Sequence, residues 1–374
     1  MDVVSIEPSR RIVYIDIARG FGILLVVLGH SDLALVSPYL HQFIYSFHVP
    51  FFFFLSGYFF NPGIFFGKFA KKRFNTNLQP YLFTILFIFI TSISFSNMRI
   101  GTAMGRFVKS LYGSGEYIWW IPLWFLPSLF ITSLFAYVVY RILLIRINNR
   151  YLRWLVLLAI QAVGVFYIEA FYPFSVIIFG KEYQLYGLPY SLDIVLISGF
   201  FYMLGSEIRK LSPDKVFDNI WFLLISGGGL LTLNAIFGQR TDLAARAFES
   251  YPINTAEAIL GIMFALAVSK QIELRTTHLA AALNYIGQAS LFILIFHLPI
   301  QEYWAPKFMF VTGMQAFSIL SAFVISILIC LGIYRVFFEQ NPIALYWFGR
   351  ISSHPQKNET KSKSTQNREE KFPE

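Results

Sequence analysis

RIVYIDIARGFGILLVVLGH, residues 11–30, decides how the rest of the chain is read. From residue 12 to about 36 the chain is apolar over a length that spans a bilayer. Yet this run holds Asp16, Arg19 and His30. Ionisable groups at membrane depth are costly, so three on one helix need a reason. Arg19 and His30 lie about 1100° apart in helical rotation, three turns plus about 20°. They therefore share one face, about 16 Å apart along the axis. Asp16, three residues before Arg19, lies on much the same face and pairs with it. A purely structural reading has Asp16 neutralise Arg19 while His30 caps the helix near the far interface. A cofacial set that reaches both leaflets favours function instead. Gly20, Gly22 and Gly29 give a neighbouring helix or a substrate close approach.

The whole chain repeats this character. It has 374 residues, 56% hydrophobic and 14% charged, with 42 phenylalanines and a mean hydropathy of +0.58. A soluble protein of this size needs far more surface charge. The apolar runs predict an all-α, polytopic integral membrane bundle of about ten transmembrane helices. Their expected limits are 12–36, 41–60, 78–96, 122–143, 152–171, 189–206, 219–237, 254–270, 285–303 and 315–338. Solid runs such as FFFFLSGYFF (51–60) lack the alternation of a β-barrel. The first run reads as a retained helix, with no small-residue cleavage site after it.

An even number of spans puts both termini on one side. Most of the 30 Lys and Arg residues fall in segments on that side, which the positive-inside rule makes cytoplasmic. The expected location is the cell (inner) membrane, multi-pass. The net charge of +9 thus reads as topology and attraction to membrane lipids, not nucleic-acid binding. Residues 1–350 form the expected transmembrane domain, and the polar tail 351–374 reads as disordered and cytoplasmic. The long 97–121 loop lies amphipathically on the outer surface or folds back to the bundle.

Further polar residues fall inside the spans. His48 stands just before Pro50, which predicts a helix distortion there, and Ser56 follows. His297, again beside a proline, and Glu302 are read as lining the same cavity as His30. The cluster KFAKKRFNTNLQPYL (68–82) is either topology control or a grip by Lys71, Lys72 and Arg73 on the phosphates of an anionic ligand. The single cysteine, Cys330, reads as a packing residue. The sequence contains no P-loop, no dinucleotide glycine fingerprint, no HExxH and no Cys/His metal spacing, so no metal is expected.

Together these stretches resemble the membrane-bound acyltransferase-3 family, especially its fucose 4-O-acetylase-like branch. The opening run, with an arginine, ten residues and a histidine, resembles the family's first-helix signature. FHVPFFFFLSGYFF (47–60) resembles the second. LWFLPSLF (123–130), FFYMLGSEIRK (200–210) and SLFILIFHLPI (290–300) follow in the expected order. Two departures stand out: NTNLQ (75–79) lacks a further basic residue found in many relatives, and LWFLPSLF lacks a usual carboxylate. The resemblance implies an acyltransferase that takes an acyl group, usually acetyl, from cytoplasmic acyl-CoA. The acceptor it implies is a hydroxyl of a surface polysaccharide or lipid-linked glycan. By matching position, His30 is the implied catalytic base, Arg19 its partner, and Arg73 a residue near the CoA phosphates. Acetyl-CoA or another acyl-CoA enters as co-substrate, with no bound cofactor. The rival class is a glycan transporter or flippase, which also needs buried charges.

Overall fold

In hydrocarbon a backbone must satisfy its own polar groups, so the apolar runs become helices. The computed structural model describes residues 12–95, 98–339 and 341–348. The tail expected over 351–374 lies outside the described residues. The chain begins with α1 (Val13–Gly29), α2 (Leu33–Val36), α3 (Pro38–Tyr45) and α4 (His48–Tyr58). Then α5 (Phe66–Arg73) runs through a π-helical turn, Phe74–Leu78, into α6 (Gln79–Phe95). After α7 (Ile100–Leu111) come α8 (Phe125–Ile142), α9 (Arg150–Tyr167), α10 (Val195–Lys210), α11 (Asp214–Phe217) and α12 (Ile220–Phe237). The chain continues with α13 (Tyr251–Arg275), α14 (Thr277–Gln288), α15 (Ser290–Thr312), α16 (Gln315–Ile333) and α17 (Pro342–Trp347).

Among the described residues, seven helical segments are long and apolar enough to cross a membrane, and eight if α14 and α15, bent by 79°, form one span. Ten were expected, and the difference lies near the N-terminus. Helix α1 stops after 17 residues, because the chain turns at His30–Asp32. The stretch expected as a second span is broken at Ser46 and Phe47, between α3 and α4. Pro50 does not cause a kink within α4: it occupies the first turn, where a missing N–H costs no intrahelical bond.

Close packing explains the glycines. A Cβ on Gly20 would stand 2.0 Å from Leu283 O, and one on Gly287 2.0 Å from Asp16 O. Helices α1 and α14 therefore touch backbone to backbone. The same device joins α4 to α10, where a Cβ on Gly57 would meet Tyr202 O at 1.7 Å.

One end of the bundle is basic. Arg73, Arg153, Arg209, Lys210 and Lys270 gather there with Tyr14, Tyr58, Asp214 and Glu207. The other end is capped by loops holding two antiparallel hairpins absent from the sequence reading. Strands β1 (Phe174–Ile178) and β2 (Lys181–Leu185) pair through a turn at Phe179 and Gly180, both at positive φ, as a two-residue hairpin turn requires. Strands β3 (Thr241–Asp242) and β4 (Ala247–Phe248) form the second. The 97–121 loop contains α7, which folds back on α6: Phe89 and Phe107 rings lie 5.1 Å apart, and the Tyr81 hydroxyl donates to Ser110 O. Its other face exposes Ile100, Met104 and Val108.

Candidate functional site

Where α1, α4, the π-helical turn and the start of α15 converge, they line a cavity of about 210 Å³. Helix α1 supplies Arg19 and His30 to it, and α4 supplies His48, Phe52 and Ser56 at successive turns. The π-helical turn adds Thr76 and Asn77, and α15 adds Ser290, Leu291 and Leu294. Pro122, Trp124 and Phe125 close a further wall. A π-helical turn realigns side chains within a helix and often marks a site. Here it brings Asn77 into the cavity wall, with a buried Nδ2 that has no hydrogen-bond partner.

Three histidines share one local arrangement. His30 Nδ1 donates to Val26 O at 2.8 Å, His48 Nδ1 to Ile44 O at 3.0 Å, and His297 Nδ1 to Ile293 O at 2.8 Å. A carbonyl oxygen only accepts, so each Nδ1 carries the proton and the neutral ring keeps a lone pair on Nε2. That is the tautomer a general base needs. His297 is fully buried and does not line the cavity, but its ring meets that of His30 edge-on at 5.3 Å. Gln301, one turn beyond His297, donates to Val27 O at 3.0 Å. Val27 lies in the last turn of α1, whose carbonyls lack helical partners. This bond fixes α15 against the end of α1 that carries His30.

At the far end of the cavity, Arg19 Nη1 lies 3.1 Å from Asp16 Oδ1. Its guanidinium stands 5.4 Å from the Phe59 ring centre. Arg209 lies 5.0 Å from the same ring and donates to Tyr58 O at 3.2 Å. Two cations on one aromatic ring make this mouth electropositive. Arg73 is half-buried, 5.2 Å from the Phe69 ring and 5.8 Å from that of Tyr202, and its buried Nε has no partner. Lys71 and Lys72 are exposed.

The structure thus brings Arg19, His30, His48 and Ser56 to one cavity, with Asp16 behind Arg19 and His297 behind His30. Ser56 spends its hydroxyl proton on Phe52 O at 2.8 Å. Glu302 is exposed and is not among the cavity residues, which corrects the expectation that it lines the cavity. Sequence reasoning also missed Asn77, Arg209 and Trp124. Arg209 had a visible signal, a basic residue in FFYMLGSEIRK, but there it reads as topology. Among the described residues no cluster of His, Cys, Asp or Glu is arranged to hold a metal ion.

The long apolar helices packed around this histidine-lined cavity define a multi-pass integral-membrane protein with a candidate site inside its helical bundle. A family model described as an acyltransferase domain matches residues 12–335. The chain belongs to the acyltransferase-3 family and is an integral-membrane acyltransferase. No curated protein and no solved structure matches it.

Proposed function

We propose that the protein is an O-acyltransferase that moves an acyl group, acetyl in the first instance, from cytoplasmic acyl-CoA to a carbohydrate hydroxyl on the opposite side of the cell (inner) membrane. The observation that carries this reading is His30: a histidine with its lone pair on Nε2, in the wall of a cavity that reaches Arg19. A sugar hydroxyl is a weak nucleophile at neutral pH, and an imidazole titrates in the range that removes its proton during attack. The hydroxyl oxygen bonds to the thioester carbonyl carbon while His30 takes the proton. As the C–S bond breaks, the proton passes from His30 to the departing thiolate. Asn77 belongs to the same cavity wall and its buried Nδ2 has no partner; a turn of its side chain brings that N–H to the carbonyl oxygen as it gains charge.

The donor enters from the basic end. Arg19, Arg73 and Arg209 flank its path, with Lys71 and Lys72 at the surface, and suit the phosphates of CoA. The separation of about 16 Å between Arg19 and His30 is then spanned by the pantetheine arm. In this arrangement α1 and the broken pair α3–α4 also cross the membrane, buried at the centre of the bundle. That gives ten crossings and two cytoplasmic termini, in line with the positive-inside rule. The stretch LWFLPSLF points to the fucose 4-O-acetylase-like branch. A glycan flippase would move its substrate without cleaving a thioester, and membership of an acyltransferase family does not favour it.

The test is transfer of radiolabelled acetyl from acetyl-CoA to glycan by the purified protein. Two variants probe the machinery. Arg209→Ala is expected to raise KM for acyl-CoA about ten-fold with little change in kcat, since a lost charge-assisted bond to phosphate is worth about 1.5–3 kcal/mol at most. An unchanged KM would remove Arg209 from the donor path. Asn77→Ala is expected to lower kcat about 100-fold with KM nearly constant, the pattern of a lost oxyanion donor. A change confined to KM would assign Asn77 to binding instead.

A further inference from the structure

Four polar side chains in the cavity wall direct their protons back into the protein. His30 and His48 donate from Nδ1 to Val26 O and Ile44 O. The Ser56 hydroxyl donates to Phe52 O, and the Thr76 hydroxyl to Lys72 O at 3.0 Å. What these four offer the cavity is lone pairs. A ligand made of acceptors alone would meet no partner among them, whereas a ligand rich in hydroxyl donors would.

Two of the four are held side by side. A Cβ on Gly29, the residue before His30, would stand 3.3 Å from Ile44 Cγ2 and 3.3 Å from the Tyr45 ring. The end of α1 therefore presses on the last turn of α3, and Ile44 of that turn is the residue whose carbonyl orients His48. The His48 ring is also fixed by Tyr45, which meets it edge-on at 4.7 Å, and His41 stacks on Tyr45 at 4.1 Å. His48 is 2% exposed, yet it lines the same cavity as His30. With Nδ1 turned to the main chain, each ring keeps its acceptor, Nε2, at its distal edge. A buried acceptor left without a donor is costly. One hydroxyl satisfies one of the two histidines, and two hydroxyls on neighbouring carbons satisfy both.

We propose that His48 is a specificity-determining residue, which accepts a hydrogen bond from the hydroxyl next to the one being acylated, so that the acceptor group is a vicinal diol. The reacting oxygen bonds to the thioester carbonyl carbon, and its proton passes to His30 and on to the departing thiolate. The neighbouring hydroxyl keeps its proton and donates it to His48 Nε2, which fixes the hydroxyl that reaches His30. This rests on the acyltransferase reading above and narrows it from any carbohydrate hydroxyl to one with a hydroxyl neighbour.

The experiment supplies the purified full-length protein in nanodiscs with radiolabelled acetyl-CoA and one of two probes, cis-1,2-cyclohexanediol or trans-1,4-cyclohexanediol. Both have the same composition and two hydroxyls, but only the first carries them on neighbouring carbons. The expected kcat/KM is about ten-fold higher for the 1,2-diol, the size of one well-made hydrogen bond. In His48→Phe, which keeps a ring but no lone pair, the ratio is expected to fall to about one. In His48→Gln, which keeps an acceptor oxygen, it is expected to stay above that of His48→Phe. The readout is a ratio within each variant, so a general loss of activity does not move it. A wild-type ratio near one, or an unchanged ratio in His48→Phe, would overturn the proposal. Acetylation of glycan is measured alongside. Glycan acetylation with no preference for the 1,2-diol, or with neither diol used, refutes the vicinal pair alone. Absence of CoA release with glycan and with both diols refutes the acyltransferase reading itself.

Discussion

Replacing His30 by alanine is expected to lower acyl transfer by about 10²–10⁴-fold, the usual contribution of a general base. The variant should still insert and fold. Among the described residues the ring hydrogen-bonds to a carbonyl in its own helix and meets the edge of His297. Gln301, not His30, makes the bond that holds α15 to the end of α1. The measurement is acetyl ester formed on glycan per unit of inserted protein, with thermal stability of the purified variant as the control. Donor binding should survive, because Arg19 stands at the other end of the cavity and Arg209 beyond it, against the same Phe59 ring. A stable His30→Ala protein that transfers acyl groups at the wild-type rate would remove His30 from the chemistry.

Truncation of Arg246 is expected to have the largest effect on stability. Its guanidinium is 1% exposed and the Asp193 side chain 0%. Nε donates to Asp193 Oδ2 at 2.7 Å and an Nη to Oδ1 at 3.1 Å. Further bonds tie Arg246 to Ala244 O and Ser114, so one side chain joins three loops of the hairpin end. Arg246→Ala would leave the buried Asp193 side chain without its guanidinium partner, a loss of about 3–5 kcal/mol. Removing both charges, as in Arg246→Met/Asp193→Leu, should cost less, because no lone buried charge remains. Thermal unfolding of the detergent-solubilised proteins gives the ranking. Equal losses in the single and double variants would show that shape, and not the unpaired charge, dominates.

The parts of this protein that were legible in the sequence are those that follow from position along one helix. Arg19 and His30 belong to one cavity because eleven residues return a helix nearly to its starting face. His48 and Ser56, eight residues apart on α4, are rotated by about 80° and still fall within one broad helix face. The same arithmetic corrects Glu302. Gln301 is four residues after His297 and shares its face, whereas Glu302 is rotated about 100° further and turns outward. What could not be read depends on contacts between distant segments. Asp193 and Arg246 are 53 residues apart in sequence and meet only because the loops fold together. The end of α1 at Gly29, the bend at Ala289 and the π-helical turn at Phe74–Leu78 are set by neighbouring helices, not by the hydropathy of the runs that contain them. Hydropathy therefore overestimated the length of the first spans and placed most of the later ones within about six residues, but α15 (Ser290–Thr312) runs well past the expected end at 303.

The claim that joins these features is that a thioester is cleaved within the bundle. Purified protein in nanodiscs is supplied with acetyl-CoA and a glycan acceptor, and free CoA is measured together with acetyl ester on the glycan. One CoA is expected to be released per ester formed, with both products falling together in the His30→Ala protein. Glycan movement across the membrane of proteoliposomes carrying the protein, without CoA release, would contradict it.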